Sequence, residues 1–261
     1  MNTTRKIAVI TGVIFIIATV INLTAAALTS VPTDTDYLTW FSTHPNQVAV
    51  GAILYLISFF ASGGIAIAMY PVLKEKNSGL ALGSVVFRAL EAAFYMVGLV
   101  SLLSLLTLSQ QLTTAGPVDR TMLQTIGNLL VNIRDHTGLV AVFAFCLGAF
   151  LYYTLFFQSR LIPRWLSGFG IVAILLMLTA CVLSLFSGNP ITSYIPLAFP
   201  IFIQEMILAV WLIAKGFNPS ALGGAPGSLP AKAAKNELLS ASILMAVALI
   251  PYGIQLIGSA L

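Results

Sequence analysis

Arg88 and Glu91 are the residues best placed to do chemistry in this chain. They lie three apart in Ser84-Val-Val-Phe-Arg88-Ala-Leu-Glu91-Ala-Ala-Phe-Tyr95. On a helix, spacings of three and four bring Ser84, Arg88, Glu91 and Tyr95 to one face. The positions around them are apolar. A charge at the centre of a bilayer costs at least about 2.5–3.5 kcal/mol on insertion scales, so such residues pair and face the inside of a helix bundle. A second carboxylate, Glu205, follows Gln204 in another apolar stretch, and Ser58 and Ser62 occupy a third. At ~1.5 Å of rise per residue, Glu91 and Glu205 are about eleven and about ten residues from opposite ends of their stretches, near the midplane of a ~30 Å hydrocarbon core. The two serines reach a similar depth.

One arginine neutralises one carboxylate. The other must be protonated, or meet a cation or a donor from a ligand, because a low dielectric disfavours a lone charge. Pro200 adds to this by freeing a backbone carbonyl one turn before Gln204-Glu205. Two readings of the centre stand. It is a ligand, ion or proton site built from Arg88, Glu91, Glu205, Tyr95, Gln204, Ser58 and Ser62, or a salt bridge that fixes the helix arrangement. Gln204 and Asn22 also read as interhelical hydrogen-bonding residues. His136, beside Arg134-Asp135, reads as an outer-rim contact, or as a general acid or base reaching down to the carboxylates. The second role would suit an intramembrane enzyme acting on a lipid-like substrate.

No metal site is expected, since His44, His136, Asp34, Asp36 and Asp135 show no ligand spacing. The chain has no G-x-S-x-G, H-E-x-x-H or nucleotide-binding loop, so no catalytic residue or cofactor is assigned. The last apolar stretch lacks a lysine, which argues against a retinal Schiff base.

The elements that must position these residues are membrane spans. Hydrophobic residues make up 59% of the 261 and charged ones only 8%, a balance that requires lipid as solvent. The basic residues sit at span ends and form no stripe, which excludes nucleic acid as a partner. Apolar runs predict spans over 7–28, 48–73, 80–110, 136–157, 165–186 and 195–213. The first is read as an uncleaved helix rather than a signal peptide. Val118, Met122, Ile126, Leu130 and Ile133 recur at helical spacing among polar residues, predicting a separate amphipathic helix on the membrane surface over 111–135. Residues 217–236 read as a flexible linker, and 237–261 as an additional, seventh span interrupted by Pro251. Cys146 and Cys181 fall inside apolar runs and are expected to pack without a disulfide.

The fold class is therefore an all-α, polytopic transmembrane bundle of six or seven spans. Its N-terminus is expected on the cytoplasmic side. That orientation keeps Arg5, Lys6, Lys74, Lys76, Arg160, Arg164, Lys215, Lys232 and Lys235 inside and leaves only Arg120 and Arg134 outside. The expected partners are the bilayer, a small-molecule or lipid ligand, and another membrane protein or a second copy.

Several stretches resemble a bacterial family of multi-pass membrane proteins catalogued as domain of unknown function 4386. They are Phe87-Arg88-Ala-Leu-Glu91-Ala, His136 at the head of span four, Ser159-Arg-Leu-Ile-Pro-Arg-Trp-Leu-Ser167-Gly-Phe-Gly170, and Gln204-Glu205-Met-Ile-Leu-Ala-Val-Trp211 through Lys215-Gly-Phe-Asn218. The resemblance covers residues 5–218. It implies a six-helix core (residues 1–216) in the bacterial cytoplasmic membrane, with the first span retained, and implies no activity. The sequence after Asn218 departs from the family pattern.

Overall fold

The computed structural model describes residues 3–31, 36–112 and 117–223. The rest of the expected linker and the expected seventh span lie outside the described residues. Every regular element among the described residues is a helix: α1 (Thr3–Thr29), α2 (Tyr37–Thr43), α3 (Pro45–Leu73), α4 (Ser78–Gln111), α5 (Pro117–Ser159), α6 (Arg164–Ser187), a 3-10 turn (Ile191–Tyr194), α7 (Ile195–Ala214) and the short α8 (Pro219–Gly223). Six of them are long and apolar enough to cross a membrane.

Local chemistry sets their ends. Asp36 starts α2 by accepting from Thr39 N (3.0 Å), and Asn77 starts α4 by accepting from Leu80 N (3.0 Å). Pro45 opens α3, where its missing N–H costs nothing. Gly188 ends α6 in the left-handed region at φ 72°. Pro200 does not break α7, which stays helical from Ile195 to Ala214.

Each long helix packs on the next one in sequence (α1 on α3, then α4, α5, α6 and α7), and α7 returns to α1. The six therefore form a closed ring whose order is the order of the chain. The α7–α1 seam is its one non-sequential closure. Gly12 makes the seam tight, since a Cβ there would stand 2.6 Å from Ala209 O. Arg5 locks its end by donating to the terminal carbonyls of α7, Leu212 (3.0 Å), Ile213 (2.5 Å) and Ala214 (3.2 Å). Gly216, at φ 75°, brings the chain against that same guanidinium.

The basic turn 160–163 is built into this end. Asn218 donates from its backbone N to Leu161 O (2.8 Å) and from Nδ2 to Arg160 O (3.3 Å), while Phe217 packs on Phe156. Trp165 meets Trp211 edge-on, with centroids 6.5 Å apart, joining α6 to α7. Cys146 and Cys181 are buried and free.

The far end corrects one expectation. The stretch 111–135 does not form a separate surface helix. From Pro117 onward it is the first part of α5, which runs unbroken through Arg134-Asp135-His136 into the spanning segment. No glycine or proline interrupts 128–137, so breaking the helix would sacrifice hydrogen bonds for nothing. Met122, Ile126 and Ile133 of the apolar stripe stay exposed, and the contact with the bundle is made further along. Leu130 and Val131 pack with Leu102 and Leu105 of α4 and with Leu38 and Phe41 of α2. With 34 and 43 residues, α4 and α5 are about 51 Å and about 65 Å long and project beyond a ~30 Å core. The Tyr37 hydroxyl holds the projection, donating to Asn128 Oδ1 (2.8 Å) and accepting from Gln124 Nε2 (3.0 Å). Burial first, and then the neighbouring Asp36 charge, push this phenol above its usual range and keep it neutral.

Two outcomes follow from this architecture. Gly12→Ala should force the α7–α1 seam apart at a cost of about 1–3 kcal/mol, read as a lower thermal unfolding midpoint. Gly64→Ala, where a Cβ meets open space, should not lower it. The basic residues gather at the N-terminal end of the ring. An impermeant maleimide should therefore label Met122→Cys in intact cells and Lys76→Cys only once the membrane is opened. The opposite labelling pattern would invert the orientation.

Candidate functional site

Arg88 and Glu91 project from α4 into the ring, 2% and 4% exposed. Nη1 of Arg88 lies 2.9 Å from Oε2 of Glu91, so the arginine pairs within its own helix and not with Glu205. Those two atoms touch without hydrogen-bond alignment. The alignment comes from α3. Ser62 Oγ donates to Glu91 Oε1 (3.0 Å) and accepts from Arg88 Nη2 (2.8 Å), and Ser62 O accepts from the same nitrogen (3.1 Å). On the α5 side the guanidinium lies over the Phe145 ring, 4.9 Å from its centroid. Gly148 leaves room for it, since a Cβ there would sit 3.1 Å from Arg88 Cγ.

Glu205 approaches from α7. It is half-buried, and its Oε1 is enclosed with no hydrogen-bond partner. It lies in the field of Arg88 and Glu91 and beside the Tyr152 hydroxyl, which is buried and, like Oε1, in no aligned hydrogen bond.

Both acidic residues border a cavity of about 440 Å³ at the centre of the ring, together with Ser58, Ser62, Arg88 and Tyr95. Phe15, Phe59, Phe145 and Phe202 supply aromatic walls. Among its lining residues, Leu23 of α1, 55% exposed, and the exposed Thr192 of the 3-10 turn before α7 mark an open side, beyond the tight packing at Gly12. A second cavity, of about 420 Å³, shares Asn22, Phe59, Tyr95, Val142 and Thr192 with the first and reaches Arg134 and Asp135 at the far end.

Of the residues singled out in the sequence, Arg88, Glu91, Glu205, Tyr95, Ser58 and Ser62 thus meet around one space. Tyr95 stacks on Phe59 with centroids 5.0 Å apart. Ser58 donates to Ala18 O (2.9 Å) and accepts from Asn22 Nδ2 (3.2 Å), tying α3 to α1. Ser84 donates to Ala81 O of its own helix (2.7 Å). Gln204 stands apart: it is fully buried, accepts from the Tyr153 hydroxyl and donates to Leu166 O (3.1 Å), which links α7 to α5 and α6. His136 is exposed and lines neither cavity. Along α5 it is nine residues from Phe145, or about 13 Å.

Tyr152 and Phe145 were not anticipated. The adjacent hydroxyls of Tyr152-Tyr153 in the middle of an apolar run are the signal that marks that face. Among the described residues, no three His, Cys, Asp or Glu side chains gather as a metal site would require.

The model of one protein family, described as "Domain of unknown function (DUF4386)", matches residues 10–216. No curated protein and no solved structure matches the chain.

Glu91→Gln should leave the Arg88 charge buried without a counter-ion and cost about 3–5 kcal/mol. Arg88→Met combined with Glu91→Leu should recover most of that loss, since removing both charges also removes their desolvation. Unfolding midpoints of the two variants and the parent check both statements.

Proposed function

Because the chain belongs to the DUF4386 family, whose description assigns no activity, we propose its function from the site itself: it binds a small molecule or lipid-like ligand at the membrane midplane. The observation that carries this reading is the unpartnered Oε1 of Glu205 beside a cavity of about 440 Å³. A buried polar atom without a partner carries a desolvation penalty of about 1–3 kcal/mol, and a ligand donor removes it. Sites for small molecules fall in the range of ~300–1,000 Å³ and combine apolar walls with a few polar groups, as this one does.

The second cavity supports a route from the far end down to the carboxylate, and the open side at Leu23 supports a route from the lipid. Such access suits a role in transport, sensing or resistance. On this reading the membrane is the bacterial cytoplasmic membrane and the basic end faces the cytoplasm, in keeping with the positive-inside bias. An enzymatic reading needs a proton donor or acceptor beside the carboxylates, and His136 stands a full two turns of α5 away from Phe145.

Native mass spectrometry of gently solubilised protein tests the proposal. The parent should carry a bound mass of small-molecule or lipid size, and Glu205→Gln should lose it. A parent without any bound mass, or a Glu205→Gln variant that retains it, would count against the site.

A further inference from the structure

We infer that the ligand of this cavity is a hydrophobic organic cation with Glu205 as its counter-ion; this rests on the preceding reading of the cavity as a ligand site.

With Glu205 ionised, the charges around the cavity do not cancel. Arg88 is committed to Glu91 at 2.9 Å and to Ser62 at 2.8 Å and 3.1 Å. That leaves Glu205, with one carboxylate oxygen enclosed and unpartnered. Arg88 is the only basic side chain among the described residues that lines this cavity, so no second basic group balances Glu205. Arg134 borders the adjoining space at the far end. A lone carboxylate in a low dielectric is satisfied by a cation far better than by an apolar neighbour.

The walls make the same selection. Phe15, Phe59, Tyr95 and Phe202 surround the space, and aromatic faces attract cations through their negative quadrupole. The structure already contains one such contact, Arg88 over Phe145. An anionic ligand would meet Glu205 while the one arginine stays occupied. A neutral ligand would bury apolar surface and, even where it donates a hydrogen bond to the carboxylate, leave its charge unbalanced. The open side at the exposed Leu23 suits a molecule that first partitions into the bilayer and then moves sideways into the ring.

Three probes of similar shape separate the possibilities: tetraphenylphosphonium, a cation; tetraphenylborate, an anion; and triphenylphosphine oxide, neutral and an acceptor. Binding is measured by equilibrium dialysis against the full chain in lipid nanodiscs, with protein-free nanodiscs subtracting partition into lipid. The parent should show saturable binding of tetraphenylphosphonium at least tenfold tighter than of the other two. Glu205→Gln should lose at least tenfold in that affinity, and the exposed His136→Ala should keep it. The contrast between probes is read on the parent alone, so it holds whether or not the variant folds.

Saturable binding of the anion or the neutral probe at equal or higher affinity would overturn the cationic class and leave a ligand cavity. Glu205→Gln retaining full affinity for the cation would overturn Glu205 as counter-ion. No saturable binding of any probe would overturn the cationic class. If the parent also carried no bound mass, the cavity reading would fall with it.

Discussion

The structure depends on cancelling one buried charge. Arg88 is 2% exposed in the middle of an apolar span, and a bare guanidinium there would be prohibitive. The solution is local in one direction and tertiary in the other. Glu91 supplies the opposite charge from the next turn of α4, and Ser62 supplies the directional hydrogen bonds from α3. One hydroxyl thereby serves as donor to the acid and acceptor from the base, which fixes α3 against α4 at that level. Phe145 and Gly148 complete the seat from α5, one by its face and the other by its lack of a side chain.

Ring closure follows different physics. Neighbours in the ring are neighbours in the chain, so short connections bring most pairs together and the entropy of finding them is small. The α7–α1 contact has no such help. It relies on backbone approach at Gly12, on Arg5 saturating the free carbonyls of α7, and on Asn218 stitching the end of α7 to the α5–α6 turn. These contacts all lie at the basic end. Toward the other end the exposed Leu23 of α1 and Thr192 of the 3-10 turn border the cavity.

The stretches that carry the family resemblance find their explanation in the same contacts. The turn after Ser159 and the segment Lys215–Asn218 are far apart in sequence but hydrogen-bonded in space, with Leu161, Ile162 and Phe217 buried between them. Phe87-Arg88-Ala-Leu-Glu91-Ala carries the buried ion pair. Gln204-Glu205 carries two roles on adjacent residues: the glutamine braces α5 and α6, while the glutamate borders the cavity.

The sequence by itself determined the class of fold and the identity of the polar centre. Six apolar runs can satisfy their backbone in lipid only as helices, and charges inside such runs must turn inward, so Arg88, Glu91 and Glu205 were legible from composition and spacing. Only the tertiary structure decided which acid neutralises Arg88, because spacing put Glu91 within reach without excluding Glu205. It also set Gln204 apart from the cavity, since one step along a helix turns a side chain by about 100° and selects a different neighbour. The continuity of α5 was hidden for a related reason. An amphipathic pattern records that one face is covered, and the same apolar stripe serves a lipid surface or a protein one. Here only Leu130 and Val131 pack with Leu102 and Leu105 of α4, Met122, Ile126 and Ile133 stay exposed, and α5 runs on as one helix out of the bundle.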